Sequence, residues 1–390
     1  MSTNQPTLDR NILKEIRKAV LEGMDKKFEQ LLNEQFGPNP IHQRTIIESC
    51  ITESKDNIFH LLSTIPNFKP ITPYLTNNDN FLLTANVENR IKIFSKILEI
   101  FTNSDPLNVT MTGVPNPNIG QYIGTTNNRN ETPLYLACRY NLTPLIKVFI
   151  QYDPQHLNIN QGDQDNLSIF PIMVRDNRLD IIELLFAVPQ LDVNITMNSM
   201  IKGQEQPVQG ITPLMMACIH GLSPVVEKLL SDKNTFRKPV DINAQDSTGC
   251  TALFYAIQYN RLDIVKKLVE TKNIQINIKN NSQQTVLLYS FLHRGKKYGI
   301  IKELLKLNSQ HLDINAQDKD GLTVLHYAVD EKHYEPQVFS TIIEKFQDQL
   351  DVTLKDKNKL TAYNIAEKYD NKVAMELLRT ENRTLNNPVE

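Results

Sequence analysis

A short motif with alternating apolar residues recurs along the C-terminal two-thirds of the chain, and it constrains the fold more than any other feature. Its copies are Leu157–Asn160, Leu191–Asn194, Val240–Asn243, Ile274–Asn277, Leu312–Asn315 and Leu350–Thr353. Their last residues are spaced by 34, 49, 34, 38 and 38 positions. Self-similarity at such a period predicts an array of repeats in which each repeat packs on its neighbours.

Helix starts follow these motifs at regular places. Thr132 and Thr212 each precede a proline and a run of apolar residues. A threonine side chain can accept a hydrogen bond from the first free amides of a helix, and proline at the first helical position loses no partner. A second amphipathic segment comes next, as in Ile264–Val269. Each repeat is thus predicted to contain two short helices and an extended turn, which are too small to close a core alone.

Two of these segments carry a family signature. The run Gly321–Ala328 is similar to the Gly-x-Thr-Pro-Leu-His-x-Ala signature of ankyrin repeats, with Val324 in place of proline. A second copy is Gly210–Gly221, with Met215 where the signature has histidine. The resemblance implies an all-α ankyrin-repeat solenoid of stacked helix-turn-helix units with extended finger turns. It covers residues 128–379 in seven repeats, of which the last is a cap.

The ends of the chain resemble the signature less closely. We interpret residues 1–127 as divergent N-terminal ankyrin-like helical units, with a separate domain as the alternative. Residues 380–390 are polar and are predicted to form a disordered tail. Insertions at residues 111–127, 197–209 and 233–238 are expected to be loops, where added length costs little stability.

Composition excludes several classes of partner. The chain has 42 Lys and Arg against 44 Asp and Glu, with no long basic block, so neither nucleic acid nor a membrane surface is an expected partner. It lacks an apolar run of about 18 residues, and its first twenty residues do not resemble a secretory signal. The four cysteines are far apart, which favours reduced thiols and a cytoplasmic location. We expect a monomer.

No motif for catalysis, a cofactor or a metal can be assembled, so no enzymatic activity is predicted. His60 and His326 occupy positions where ankyrin repeats have a structural histidine. Cys138 and Cys218 follow an alanine of a first helix and are expected to pack as small apolar residues. The acidic pair Asp318 and Asp320 lies in a polar turn, where turn formation and solvation explain it.

The resemblance implies that the turn tips and the outward side of the first helices form one concave face that contacts a partner protein. Three residues beyond the small or apolar residue of each first helix stand Tyr140, Asp176, His220, Tyr259, His293, Glu331 and Tyr369. Aromatic residues are enriched at binding hot spots, so these seven are the predicted interface. Alternatively, each tyrosine covers only its own helix pair. The insertions at 111–127 and 197–209 are then the next candidates.

The leading functional hypothesis is a non-catalytic scaffold that binds a partner protein on the concave face. A second hypothesis is a small catalytic module in residues 1–127 that is targeted by the array. A third is an effector of an intracellular bacterium that acts on host proteins in the host cytosol. The chain resembles ankyrin proteins that such bacteria export, and the support for this hypothesis is the Asn, Ile and Lys bias of the sequence and its polar C-terminal tail.

Overall fold

The computed structural model describes residues 10–36, 123–201, 203–231, 238–292, 298–307, 311–330 and 335–386. It also describes Gln43, Phe59, Leu62, Asn89, Arg90, Lys92, Ile93, Phe94, Lys96 and Phe236. The hypothetical catalytic module in residues 1–127 lies largely outside these residues. His60 and Cys50 lie wholly outside them. The same holds for most of the insertion at 111–127.

The chain divides into two compact bodies. The N-terminal body contains residues up to Ile195 together with Thr235–Lys238. Its helices are α1 (Arg10–Leu21), α2 (Asp25–Phe36), α3 (Pro133–Arg139), α4 (Thr143–Tyr152), α5 (Ile169–Arg175) and α6 (Leu179–Leu185). Helix α1 packs on α2, and each later pair, α3 with α4 and α5 with α6, packs together in the same way.

The C-terminal body contains the rest of the chain and begins with two strands, β1 (Met197–Ser199) and β2 (Val208–Ile211). Its helices are α7 (Pro213–His220), α8 (Ser223–Leu230), α9 (Ala252–Gln258), α10 (Leu262–Glu270), α11 (Val286–Leu292), α12 (Tyr298–Leu305), α13 (Val324–Val329), α14 (Pro336–Phe346), α15 (Ala362–Lys368) and α16 (Lys372–Asn386). From α3 onward the helices form seven pairs, and the members of each pair are called the first and the second helix below.

Within each body the repeats stack through equivalent helices. In the C-terminal body, the first helices α7, α9, α11, α13 and α15 pack on one another in order, and the second helices α8, α10, α12 and α14 do the same. Ala256 in α9 is fully buried, since only a small side chain fits where first helices approach closely. The predicted helical repeat architecture is confirmed.

The asparagine that ends four copies of the recurring motif joins its repeat to the next one. Asn243 Nδ2 donates to the carbonyl oxygen of Asn273 at 2.8 Å, while its Oδ1 accepts from the amide of Gln275 at 2.9 Å. Asn160, Asn277 and Asn315 make the same two bonds to the repeats that follow them. These two hydrogen bonds to the backbone of the next repeat explain why the motif ends in asparagine. The last motif ends in Thr353, which bonds instead to Asp351.

Most repeats enter the first helix through a short finger, which is an extended turn closed by an Asp or Asn side chain. In the finger of Asp318, Oδ1 accepts hydrogen bonds from the amides of Asp320 and Leu322 at 2.8 and 3.0 Å. The equivalent residues are Asn127, Asp163, Asp246, Asn280 and Asp356. Backbone bonds also join successive fingers, such as Lys319 N to Ser282 O at 3.0 Å.

Each repeat then needs a left-handed residue just before its first helix. The residues at this position are Asn130, Asn166, Gly210, Gly249, Gln283, Gly321 and Lys359, all with positive φ. Glycine adopts this conformation without strain, and asparagine does so more readily than most other residues. At Gly249 space matters as well, because an added Cβ would lie 2.7 Å from Asn281 Oδ1.

The insertion at 197–209 was expected to be a loop but forms most of an antiparallel hairpin. Strand β1 pairs with β2, with Met197 opposite Ile211 and Ser199 opposite Val208. This hairpin occupies the place of a finger, since Gln209 N donates to Ser247 Oγ of the next finger and Gln209 O accepts from Ser247 N. We call residues 197–211 the long finger. This two-stranded hairpin is the one named sheet among the described residues, which are otherwise mostly helical, as the all-α prediction expects.

The described residues of the other insertion at 233–238, Phe236 and Lys238, belong to the N-terminal body. Phe236 lies against Phe186 with ring centres 5.5 Å apart, and Lys238 Nζ is 2.7 Å from Asp192 Oδ2. Burial opposes ionisation of Asp192, but the hydrogen bonds from Lys238 and from the Asn194 amide, together with the charge of Lys238, outweigh it and lower the pKa of the carboxyl. These contacts are a structural reason for this insertion.

At the C-terminus, α16 extends to Asn386. The segment expected to form a disordered tail, 380–390, therefore begins inside this helix, and residues 387–390 lie outside the described part of the chain. No helix among the described residues is both long and apolar enough to cross a membrane.

Candidate functional site

Five of the seven predicted interface residues lie within the described part of the chain. They are Tyr140 and Asp176 in the N-terminal body and His220, Tyr259 and Tyr369 in the C-terminal body. Four directly follow their first helix, and His220 is the last residue of α7. His293 and Glu331 lie outside the described residues. The described members thus occupy the same end of each first helix.

The side chains of these residues differ in their exposure and partners. Asp176 is exposed and pairs with Arg175, whose Nε lies 2.8 Å from Oδ1. Tyr369 is 37% exposed, and Lys368 Nζ lies 5.6 Å from the centre of its ring. Tyr140 and Tyr259 are half-buried. Each tyrosine therefore covers part of its own repeat and also presents part of its surface to solvent.

A groove in the C-terminal body brings Tyr259 together with residues that sequence analysis did not select. The groove has a volume of about 930 Å³. It is lined by the tip of the long finger, by the short fingers of Asp246 and Asn280, and by residues of α9 and α11. Tyr255, Gln258 and Tyr289 line it beside Tyr259.

Tyr255, one of the residues that line this groove, is held in place by the adjacent finger. Tyr255 donates its hydroxyl hydrogen to Asp246 Oδ2 at 2.5 Å. Burial, together with this hydrogen bond, raises the pKa of Tyr255 well above its usual value, so the phenol stays neutral. Tyr327 bonds to Asp318 in the same way, nine residues upstream. In the repeat between them, Tyr289 occupies the same position, and Asn280 replaces the aspartate.

Repeat alignment could have revealed these tyrosines. Tyr255, Tyr289 and Tyr327 each stand four residues after the threonine that precedes a first helix, at Thr251, Thr285 and Thr323. The phenol rings of the first two line the groove. Burial raises the pKa of Tyr289 too, so it also stays neutral. The signal that would have identified these tyrosines is therefore a spacing that recurs inside the repeat, and the residue type alone does not reveal it.

The described cysteines are not activated. Burial raises the pKa of the Cys250 thiol to about 11, and it raises the pKa values of Cys138 and Cys218 still further. Since the thiolate is the nucleophilic form, these groups are protonated and unreactive near neutral pH. Cys138 and Cys218 are buried, as the sequence predicts.

His326 has a structural role. Its Nδ1 accepts from the amide of Thr323 at 3.1 Å, and its Nε2 donates to the carbonyl oxygen of Leu360 at 3.1 Å. Burial lowers the pKa of the imidazole, which favours this neutral tautomer. The side chain thereby caps α13 and tethers it to the base of the next finger. Among the described residues, no group of three His, Cys, Asp or Glu side chains could hold a metal ion.

Comparison with known proteins agrees with this architecture. A family model described as ankyrin repeats in three copies matches residues 172–280, and a single ankyrin repeat model matches residues 129–159. The chain is also similar to the ankyrin repeat protein nuc-2 of Neurospora crassa, with 22% identity over 256 residues. That match covers 65% of this chain but only 20% of the relative. With the stacked helix pairs and their fingers, these matches identify residues 129–159 and 172–280 as ankyrin repeats.

Proposed function

We propose that this protein is a non-catalytic scaffold that binds a partner protein on the concave face formed by the fingers and the adjoining ends of the first helices. Ankyrin repeats generally mediate interactions between proteins, which supports the general class of function. The observation that carries the proposal is the groove of the C-terminal body. There a half-buried tyrosine of the predicted interface, Tyr259, lies beside two further tyrosines and several amide side chains.

The chemistry of the described residues supports a binding role over a catalytic one. Catalysis by a cysteine requires an accessible thiolate, whereas burial keeps the thiols of Cys138, Cys218 and Cys250 protonated. His326 uses both ring nitrogens for hydrogen bonds within the fold. Reduced thiols also support our placement of the protein in the cytoplasm, where we expect it to act as a monomer.

The test is a double substitution in the predicted interface, Tyr140→Ala with Tyr259→Ala. A hot-spot tyrosine contributes about 2 kcal/mol to binding, or roughly thirtyfold in affinity. We expect capture of the partner from cytosol by the full chain to fall by at least that factor, with a small change in melting temperature. Tyr298→Ala is the matched control, because this tyrosine of α12 is 40% exposed and does not belong to the predicted interface.

The opposite result would mean that the interface lies elsewhere on the protein. If the double variant melts early but captures its partner normally, the tyrosines only cover their own helix pairs. The long finger then becomes the next candidate for the contact surface.

A further inference from the structure

We infer that the groove of the C-terminal body binds an uncharged, extended peptide segment of the partner, with the long finger along one side. The inference rests on the proposed function and names the chemistry of the segment that enters the groove. The proposed binding surface is the groove, whose lining includes Ile201, Gln204, Gln258, Tyr259 and Ser282.

The groove has no charged lining residue in the part of the chain that the structure describes. Charged residues nevertheless make up 22% of the sequence. The carboxylate of Asp246, at the base of one finger, is only 7% exposed and already accepts bonds from Tyr255, Thr248 and the amide of Cys250. A charged side chain entering the groove would lose water without gaining a counter-charge, which is unfavourable.

The absence of charge is confined to the repeats around the groove. Immediately before the predicted interface position, these repeats have Ile219, Gln258 and Leu292, whereas the next two have Asp330 and Lys368. The finger tips change at the same point, from Ser247 and Asn281 to Lys319 and Lys357. Lys357 forms an ion pair with Asp320 at 3.0 Å. The uncharged surface therefore ends at a defined repeat, as expected for a site that accepts a short segment.

The groove also offers hydrogen-bonding groups that the fold does not use. The Tyr259 hydroxyl, the Ser282 hydroxyl and the Gln204 side-chain amide make no hydrogen bond with any other described residue. Together they can both donate and accept. A peptide backbone presents N–H and C=O groups in alternation, and its extended form leaves both accessible. The tyrosine rings and Leu292 provide the apolar contact that an uncharged side chain requires.

Selection from a phage-displayed library of random 12-residue peptides on the immobilised full chain would test the inference. We expect enriched peptides to share a run of about four uncharged residues that includes an aromatic or aliphatic side chain. For one such synthetic peptide, Gln258→Lys and Gln258→Glu should each weaken binding at least tenfold, because either charge would be buried against a neutral segment. The matched controls are Gln349→Lys and Gln349→Glu, at an exposed position outside the groove.

The paired substitutions separate the possible failures. If Gln258→Lys strengthens binding while Gln258→Glu weakens it, the segment is acidic, and the reverse pattern indicates a basic segment. Either pattern overturns this inference but leaves the proposed function intact. If neither substitution nor Tyr259→Ala changes binding, the peptides bind elsewhere and the proposed concave site fails as well. A library that yields no binder overturns the peptide inference alone, because a folded partner remains testable by capture.

Lining residues of the groove have charged neighbours in the sequence, such as Glu205 after Gln204 and Lys279 before Asn280. Lys202 lies between Ile201 and Gly203 of the long finger and is outside the described residues. Lys202→Gln should change the affinity of the selected peptide less than threefold. A tenfold loss would instead show that the ligand requires a positive charge, and would contradict the inference.

Discussion

The long finger and the short fingers occupy equivalent places in the repeat but are held in shape by different interactions. The short finger of Asp318 is closed by side-chain hydrogen bonds to two amides and to the hydroxyl of Tyr327. The long finger is held by strand pairing and by the buried side chains of Met197, Ile201 and Val208. A polar closure needs one residue at a fixed position, whereas an apolar closure needs several residues that converge only after folding.

This difference determines how easily each finger can be changed. A short finger has few residues that can vary, because its Asp or Asn must accept the same amides in every repeat. The long finger leaves Asn198, Met200 and Gln204 exposed, so these residues can vary without loss of the core. We expect the long finger to provide binding specificity and the short fingers to provide rigidity. Three predictions test this comparison.

The largest effect is expected in a short finger. Asp318 is 7% exposed, and Asp318→Ala removes the carboxylate that accepts from the amides of Asp320 and Leu322 and from the hydroxyl of Tyr327. We expect the free energy of unfolding in urea to fall by about 2 kcal/mol. Asp318→Asn should cost less than about 1 kcal/mol, because Asn280 accepts the equivalent bonds in its own finger.

Asp348→Ala is the control for this experiment, since Asp348 is exposed at the end of α14. Equal losses from Asp318→Ala and Asp318→Asn would show that the finger does not depend on the side-chain acceptor.

A smaller loss is expected in the long finger. Val208 is buried in β2, and Val208→Ala removes two buried methyl groups, so it should cost about 1.5 kcal/mol. Asn198→Ala, on the exposed side of β1, should change the free energy of unfolding by less than about 0.5 kcal/mol. Thermal unfolding of the two variants would measure the difference. If Asn198→Ala were the more destabilising, polar contacts would hold the long finger too.

The smallest expected effect is a pH dependence of the stability at His326, which links α13 to the base of the next finger. The folded pKa of His326 is lowered, so the unfolded chain binds a proton first as the pH falls below about 6.5. The stability that neutral His326 provides is therefore present above that pH and is lost as the pH falls through the folded pKa. His326→Asn should keep the cap, because Asn364 Oδ1 accepts from Thr361 N in the last repeat.

Urea unfolding of both proteins at pH 7.5 and pH 5 would measure this. We expect the stability advantage of the native chain over His326→Asn to shrink by roughly 1 kcal/mol at the lower pH. An advantage that grows on acidification would mean that His326 is charged in the folded protein.

Sequence analysis predicted the helix starts with good accuracy. Thr132 and Thr212 accept bonds from the amides of Tyr135 and Met215, as their positions before a proline indicate. It did not predict the β1–β2 hairpin, because the insertion contains no strong turn signal and its strands are only three and four residues long. It found one member of the groove, Tyr259, but not Tyr255 or Tyr289, whose role depends on neighbouring fingers.

The sequence by itself determined the features that are local or that recur at a fixed spacing. A cap, a left-handed turn or the asparagine that joins two repeats needs only residues near one another in the chain, or the same residue one period later. The tertiary structure alone decided which surface is uncharged and which tyrosines share a groove. Those properties depend on side chains from several repeats and from an insertion of irregular length, which only stacking brings to one place.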